Sequence, residues 1–318
     1  MKSRIDVNSI SKLKEHGIKK AVVAIGVFDG VHIGHRHLLE RLKSMAEKSS
    51  AVPVVLTFFP HPRQVLKPNE NLLLLVSHPK KIELLHSAGI KAVVTFPFTK
   101  EFASLPASEF LETCLFDKNV EILGICVGQK WKFGNGGTGD VNLLANFARN
   151  QGMLFDPVEE YAINGETVSS SAIRRAISAG FLDKASLFLT RNHSLQGTVE
   201  HGYNIGAKVL NCPTANISVM SGILPPNGVY AGYAILNTRK YNAALSIGTA
   251  PTFGHIKKTL IEAHIFDFSR EIYGQELEIE FVKHVREEKV FTSVDILKKQ
   301  IELDLNEIRG ILEKPLSK

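Results

Sequence analysis

The first half of the chain alternates two patterns of apolar and polar residues. Short, nearly unbroken apolar runs rich in β-branched residues read as strands: KKAVVAIGVF, AVPVVLTFF, KAVVTFPF and EILGICVG. Between them lie segments with apolar residues three and four apart: HRHLLERLKSMAEK, PKKIELLHSAG, SEFLETCLFDKN and DVNLLANFARNQG. Two of these helical stretches stop at a glycine, Gly89 and Gly152, as a left-handed cap requires. Strands apolar on both faces, alternating with helices, predict a doubly wound parallel sheet.

The pattern changes near residue 186. After a helix opened by SSSAIRRAISAG and continued by DKASLFL, helical spacing nearly vanishes. GVYAGYAIL, KYNAALSIG, IEAHIFDF and ELEIEFVKHV alternate with Gly, Pro and Asn turns, which predicts a small barrel or sandwich. SVDILKKQIELDLNEIRGILEK returns to helical spacing and closes the chain. The boundary is placed at 185, giving domains 1–185 and 186–318, and 318 residues suffice for both.

Composition narrows the picture. Hydrophobic residues make up 44% and charged residues 22%. No apolar stretch approaches the roughly 20 residues of a membrane span. The charged opening MKSRIDVNSISKLKEHG lacks an apolar signal core, so a cytoplasmic protein without a membrane partner is expected. Cys114, Cys126 and Cys212 form no CxxC pair and read as small apolar residues in a reducing compartment. A net charge of +6 suits anionic ligands, but Lys and Arg are spread evenly, so no nucleic-acid partner is expected. Oligomeric state is left open.

The chemistry is concentrated at Gly26-Val27-Phe28-Asp29-Gly30-Val31-His32-Ile33-Gly34-His35, where a strand should end and a helix begin. That corner is the ligand edge of an open α/β sheet. Gly26, Gly30 and Gly34 let backbone approach phosphate, and the helix start offers free N–H groups. His32 and His35, three apart, share one side of the first turn and can donate to a charged phosphoryl oxygen. His37 points elsewhere. A second segment, Ser169-Ser170-Ser171-Ala172-Ile173-Arg174-Arg175, combines helix-capping hydroxyls with arginines able to reach a phosphate.

Together these segments resemble the HxGH nucleotidyltransferases. The longer set is similar to the prokaryotic bifunctional riboflavin kinase/FMN adenylyltransferase (FAD synthetase) family: LTFFPHPRQVL, VGQKWKFGNGGTGD, PTAN, GVYAGY, IGTAPTF, EAHIFDF and REEKVFTSVDILKKQIELD, in that order. The resemblance implies a Rossmann-like HxGH domain followed by a small antiparallel β-barrel with a closing C-terminal helix. It implies adenylyl transfer from ATP to FMN in the first domain, with pyrophosphate released. There Gly26, Phe28, Asp29, Gly30, Gly34, Ser170, Ser171 and Arg174 would bind ATP. His32 and His35 would stabilise the transition state, and His61, Arg63 and Trp131 would lie by the flavin. In the second domain it implies riboflavin phosphorylation by ATP. Thr214 and Asn216 would hold Mg²⁺, Glu262 would act as general base, and Arg286 and Phe291 would flank the flavin.

Departures from the family pattern sit at Lys130, Trp131, Gly137 and Ala172, and above all in the loop 203–212. There Tyr203, Ile205 and Ala207 replace acidic and basic residues. The loop leaves kinase activity open. Two further readings follow: a flavin-binding regulator that has lost turnover, and an HxGH transferase for another phosphorylated acceptor.

Overall fold

The structure, a computed structural model, describes residues 4–201, 213–219, 222–251 and 257–313. By internal contacts the chain divides into two compact units, Met1–Leu73 with His78–Ser170, and Leu74–Ser77 with Ser171–Lys318.

The first unit is built on a six-stranded sheet: β1 (Ile5–Val7), β2 (Lys20–Ile25), β3 (Val52–Phe59), β4 (Ala92–Pro97), β5 (Glu121–Gly128) and β6 (Leu154–Val158). The order is β1-β4-β3-β2-β5-β6, and every pairing is parallel. Helices α1 (Ile33–Lys48), α2 (Pro62–Leu66), α3 (His78–Ser87), α4 (Lys100–Ala103), α5 (Ala107–Leu115) and α6 (Val141–Asn150) connect the strands. The middle strands are buried along nearly their whole length, which is why they read as unbroken apolar runs. On α1 the buried residues are Leu38, Leu39, Leu42 and Ala46, the stripe that a 3.6-residue period lays against a sheet. The chain leaves β2 for β3 on one side and meets β5 on the other, so the order reverses beside β2. Helix α1 starts at that reversal, the place where open α/β sheets bind ligands.

The second unit holds α7 (from Ser170, at the junction, to Ser178) and α8 (Leu182–Leu189), followed by a closed barrel. Its strands are β9 (His193–Glu200), β10 (Ala215–Ser218), β11 (Gly228–Leu236), β12 (Arg239–Pro251), β13 (Lys257–Ile265) and β14 (Glu276–Arg286). In the first unit, β7 (Ala162–Ile163) pairs antiparallel with β8 (Glu166–Thr167). The order β10-β13-β12-β11-β14-β9 closes through β9 and β10, and all pairs are antiparallel. This resolves the choice between barrel and sandwich. Leu195, Ile217, Tyr230, Leu245, Ile247, Ile261, Ala263, Ile279 and Phe281 fill the interior, leaving the alternate residues outside. The closing helix α9 (Val294–Glu313) packs Ile308 against Ala231 and Phe266 on the barrel wall.

Short strands β9 and β10 escape the sequence reading because HSLQGTVE and ANIS lack apolar alternation. Neighbouring strands, not local propensity, make them extended. Among the described residues no helix is long and apolar enough to cross a membrane. Cys114 and Cys126 are free and buried, and burial pushes the Cys126 thiol up to about 12. Cys212 lies outside the described residues.

Candidate active sites

In the first unit, the turn from β2 to α1 carries unusual backbone. Phe28 and Val31 have φ of 55° and 41°, and Gly30 has φ of 82°. Non-glycine residues in that region cost on the order of 1 kcal/mol each, so the surroundings must hold them. Phe28 is fully buried, and the Ser170 hydroxyl donates to the Asp29 carbonyl at 2.9 Å. His32 caps α1, its Nδ1 accepting the His35 backbone N–H at 3.3 Å. That bond places the proton of neutral His32 on Nε2. The His32 and His35 rings stack with centroids 3.6 Å apart and planes 16° from parallel. Burial first, then the charges of His32 and Lys81, holds the His35 pKa well below its ordinary value, so the ring is neutral at pH 7. A Cβ on Gly34 would come within 3.3 Å of the His32 ring, so the small residue makes room for the imidazole pair. His37 stands 5.6 Å from Tyr161, away from the pair.

The remaining positions read from the first half are engaged locally. His61 caps α2, its Nδ1 accepting the Arg63 N–H at 3.1 Å. Arg63 is exposed and paired with Glu70 at 2.7 Å. Trp131 stacks on Phe133 at 4.7 Å and leans against the core of the sheet. Lys130 pairs with Glu160 at 2.6 Å, and Gly137 sits at φ 69° in the glycine turn after Phe133. Ser171 and Arg174 lie on the first turn of α7, in the second unit.

On the barrel, one cross-strand row gathers the rest. Asn216 faces Glu262, Glu262 faces Ser246, Ser246 faces Val229, and Val229 faces Arg286. Burial raises the Glu262 pKa, opposed by hydrogen bonds from Ser246 and Thr214. Glu262, Ser246, Arg286 and Phe291 line one cavity of about 240 Å³. Arg286 donates from Nε to both oxygens of buried Asp304, at 2.8 and 3.0 Å, while its guanidinium carbon stands 5.7 Å from the Phe291 ring centroid. Thr214 and Asn216 set hard oxygen donors beside Glu262, a donor set that fits Mg²⁺. The departures at Tyr203, Ile205 and Ala207 lie outside the described residues.

Three residues at these sites went unread in the sequence. Buried Lys81 donates to the Val27 carbonyl. It shares the apolar stripe of α3 with Leu84 and Leu85, a lysine where an aliphatic residue is expected. Asp304 breaks the stripe of α9 in the same way, one turn before Ile308. Ser246 gave no signal.

The FAD synthetase family pattern matches residues 14–172, and the riboflavin kinase family pattern matches 189–312. A bifunctional riboflavin kinase/FMN adenylyltransferase of Buchnera aphidicola is 33% identical, covering 91% of this chain and 94% of its own. The namesakes in Bacillus subtilis and Escherichia coli are 32% and 31% identical, covering 91% and 97% of this chain and 91% and 98% of their own. This chain belongs to the bifunctional riboflavin kinase/FMN adenylyltransferase family. It is an enzyme with both of the family's domains in the family's order. A solved Streptococcus pneumoniae chain, described as a macrolide-efflux protein, is similar over 96% of this chain and 98% of its own, with TM-score 0.84 and 28% identity. That description remains the Streptococcus protein's; the fold of the bifunctional family is what the two chains share.

Proposed function

We propose that the first domain, 1–185, makes FAD from FMN and ATP, and that the second, 186–318, makes FMN from riboflavin and ATP. The single supporting observation is the stacked His32–His35 pair at the start of α1, beside the reversal of the sheet. In adenylyl transfer an FMN phosphate oxygen attacks the α-phosphorus of ATP, and the bond to pyrophosphate breaks. The nucleophile is already ionised, so orientation and neutralisation of charge carry the rate. The Nε2–H of His32 is a donor toward the phosphate chain, and His35, held neutral by burial, is fixed beside it by stacking. The α1 N-terminus adds its positive end. Ser170 holds the turn through Asp29, while Ser171 and Arg174 are assigned to ATP phosphates on the resemblance alone. His61, Arg63 and Trp131 are assigned to the flavin on the same footing.

In the kinase reaction, Glu262 takes the ribityl hydroxyl proton as oxygen attacks the γ-phosphorus, and the bond from that phosphorus to the departing ADP breaks. The raised pKa of Glu262 suits a general base. Bound Mg²⁺ would neutralise phosphate charge, held on the protein side by Thr214 and Asn216. Arg286 and Phe291 border the same cavity as Glu262, as a flavin-flanking role requires. Because the riboflavin kinase pattern spans 189–312, we include kinase activity in the proposal despite the altered loop.

Incubating the purified chain with FMN, ATP and Mg²⁺ should yield FAD and pyrophosphate. Riboflavin in place of FMN should yield FMN and then FAD. No FAD in either mixture removes the proposal for the first domain, and FAD from FMN alone removes it for the second.

A further inference from the structure

Lys81 is a cation buried under the catalytic turn, with all its donors used. Its ammonium donates to the Val27 carbonyl at 3.2 Å, to Thr57 Oγ1 at 3.0 Å and to the Phe58 carbonyl at 3.2 Å. The Thr57 hydroxyl in turn donates a hydrogen bond to the same Val27 carbonyl at 3.2 Å. Val27 opens the turn whose next residues, Phe28, Gly30 and Val31, have positive φ. A buried ammonium is costly unless its donors are satisfied, and Lys81 stands on the buried stripe of α3 with Leu84 and Leu85. Fold alone gives no reason for the charge.

We propose that Lys81 is a positioning residue for adenylyl transfer. Its buried ammonium ties the Val27 carbonyl to the end of β3 and so fixes the turn that aims His32 and His35. The inference rests on reading this unit as an FMN adenylyltransferase. Asp29 faces Lys81 from the turn, His35 from α1 and His78 from α3. Asp29 favours the charged amine, while burial outweighs it and lowers the Lys81 pKa to about 8. The clamp therefore loses its proton in the mildly alkaline range. The positive charge also adds to the forces that keep His35 neutral.

The test compares wild type, Lys81→Met and Lys81→Arg in FAD formation from FMN, with riboflavin phosphorylation by the same preparations as the internal check on folding. Lys81→Met should lower kcat for FAD formation by about 10- to 100-fold, the scale of a displaced catalytic group, with KM for ATP changed less than about threefold. Riboflavin phosphorylation should be unchanged. Wild-type kcat should fall above about pH 8. Lys81→Arg, whose guanidinium does not titrate there, should shift that limb upward whatever rate it retains. NMR titration should show a higher His35 pKa in Lys81→Met, since a neighbouring positive charge has gone. Wild-type kcat in Lys81→Met, an unshifted alkaline limb in Lys81→Arg, or equal loss of both reactions in Lys81→Met would each overturn the proposal. Wild type that forms no FAD defeats the functional reading instead. The His35 titration then still decides whether Lys81 acts on the histidine pair.

Discussion

At the scale of single residues, the first site depends on a glycine that leaves space rather than on one that bends the chain. Gly34 lies in the first turn of α1, where alanine would improve helix propensity by about 1 kcal/mol. Its added methyl would press on the His32 ring at 3.3 Å, and that ring is stacked on His35. The two effects nearly cancel in stability but not in function. Gly34→Ala should leave the melting temperature within a few degrees of wild type while lowering kcat for FAD formation about tenfold, equivalent to about 1.4 kcal/mol in the barrier. Steady-state kinetics beside a thermal melt would check both halves. His32, His35 and Gly34 were legible in the sequence because they stand within one turn of each other. Lys81 was not: its meaning comes from a carbonyl 54 positions away.

At the scale of elements, α9 is fastened to the barrel by an ion pair as well as by Ile308. Arg286 and Asp304 are almost entirely buried, with side chains 15% and 8% exposed, and Gln300 also donates to Asp304 at 2.8 Å. Removing one partner strands the other, a change that costs about 3–5 kcal/mol. Asp304→Ala should therefore destabilise the barrel unit by about 3 kcal/mol in urea unfolding. Arg286 lines the Glu262 cavity, so KM for riboflavin should rise with it.

Strand β9 carries a second marker. His193 is buried and bonded through Nε2 to the Ile223 carbonyl at 2.8 Å, while burial lowers its pKa to about 4. Unfolded histidine titrates near 6.5, so below that pH the unfolded chain gains a proton that the folded barrel refuses. This contribution to stability is intact above about pH 6.5. It is lost toward pH 4 at up to about 1.4 kcal/mol per pH unit. Urea unfolding at pH 7.5 and 5.5 should show the loss, and His193→Gln should flatten the dependence.

At the scale of the whole molecule, two units have separate cores, and the proposed function gives each its own chemistry. Glu262→Gln should cut FMN formation from riboflavin by at least about 100-fold, the usual contribution of a general base, while FAD formation from supplied FMN stays at the wild-type rate. His35→Asn should give the reverse result. Chromatographic assay of FMN and FAD in the two mixtures would read each step separately; a joint loss would contradict the division.

The sequence by itself determined what period and proximity can encode. Unbroken apolar runs specified buried parallel strands, and apolar residues three and four apart specified helices. Glycines and histidines within ten positions specified a tight turn into α1 with two histidines on its first turn. The EAHIFDF and PTAN segments marked a candidate second site through resemblance to the family. Tertiary structure decided what depends on pairing between distant segments. Register across five strands put Asn216, Glu262, Ser246, Val229 and Arg286 in one row. Helix packing placed Lys81 beneath the turn and Asp304 against Arg286. Periodicity states which face of an element is buried, but the partner met there is chosen by the fold. A buried lysine or aspartate has a role only once that partner is in place.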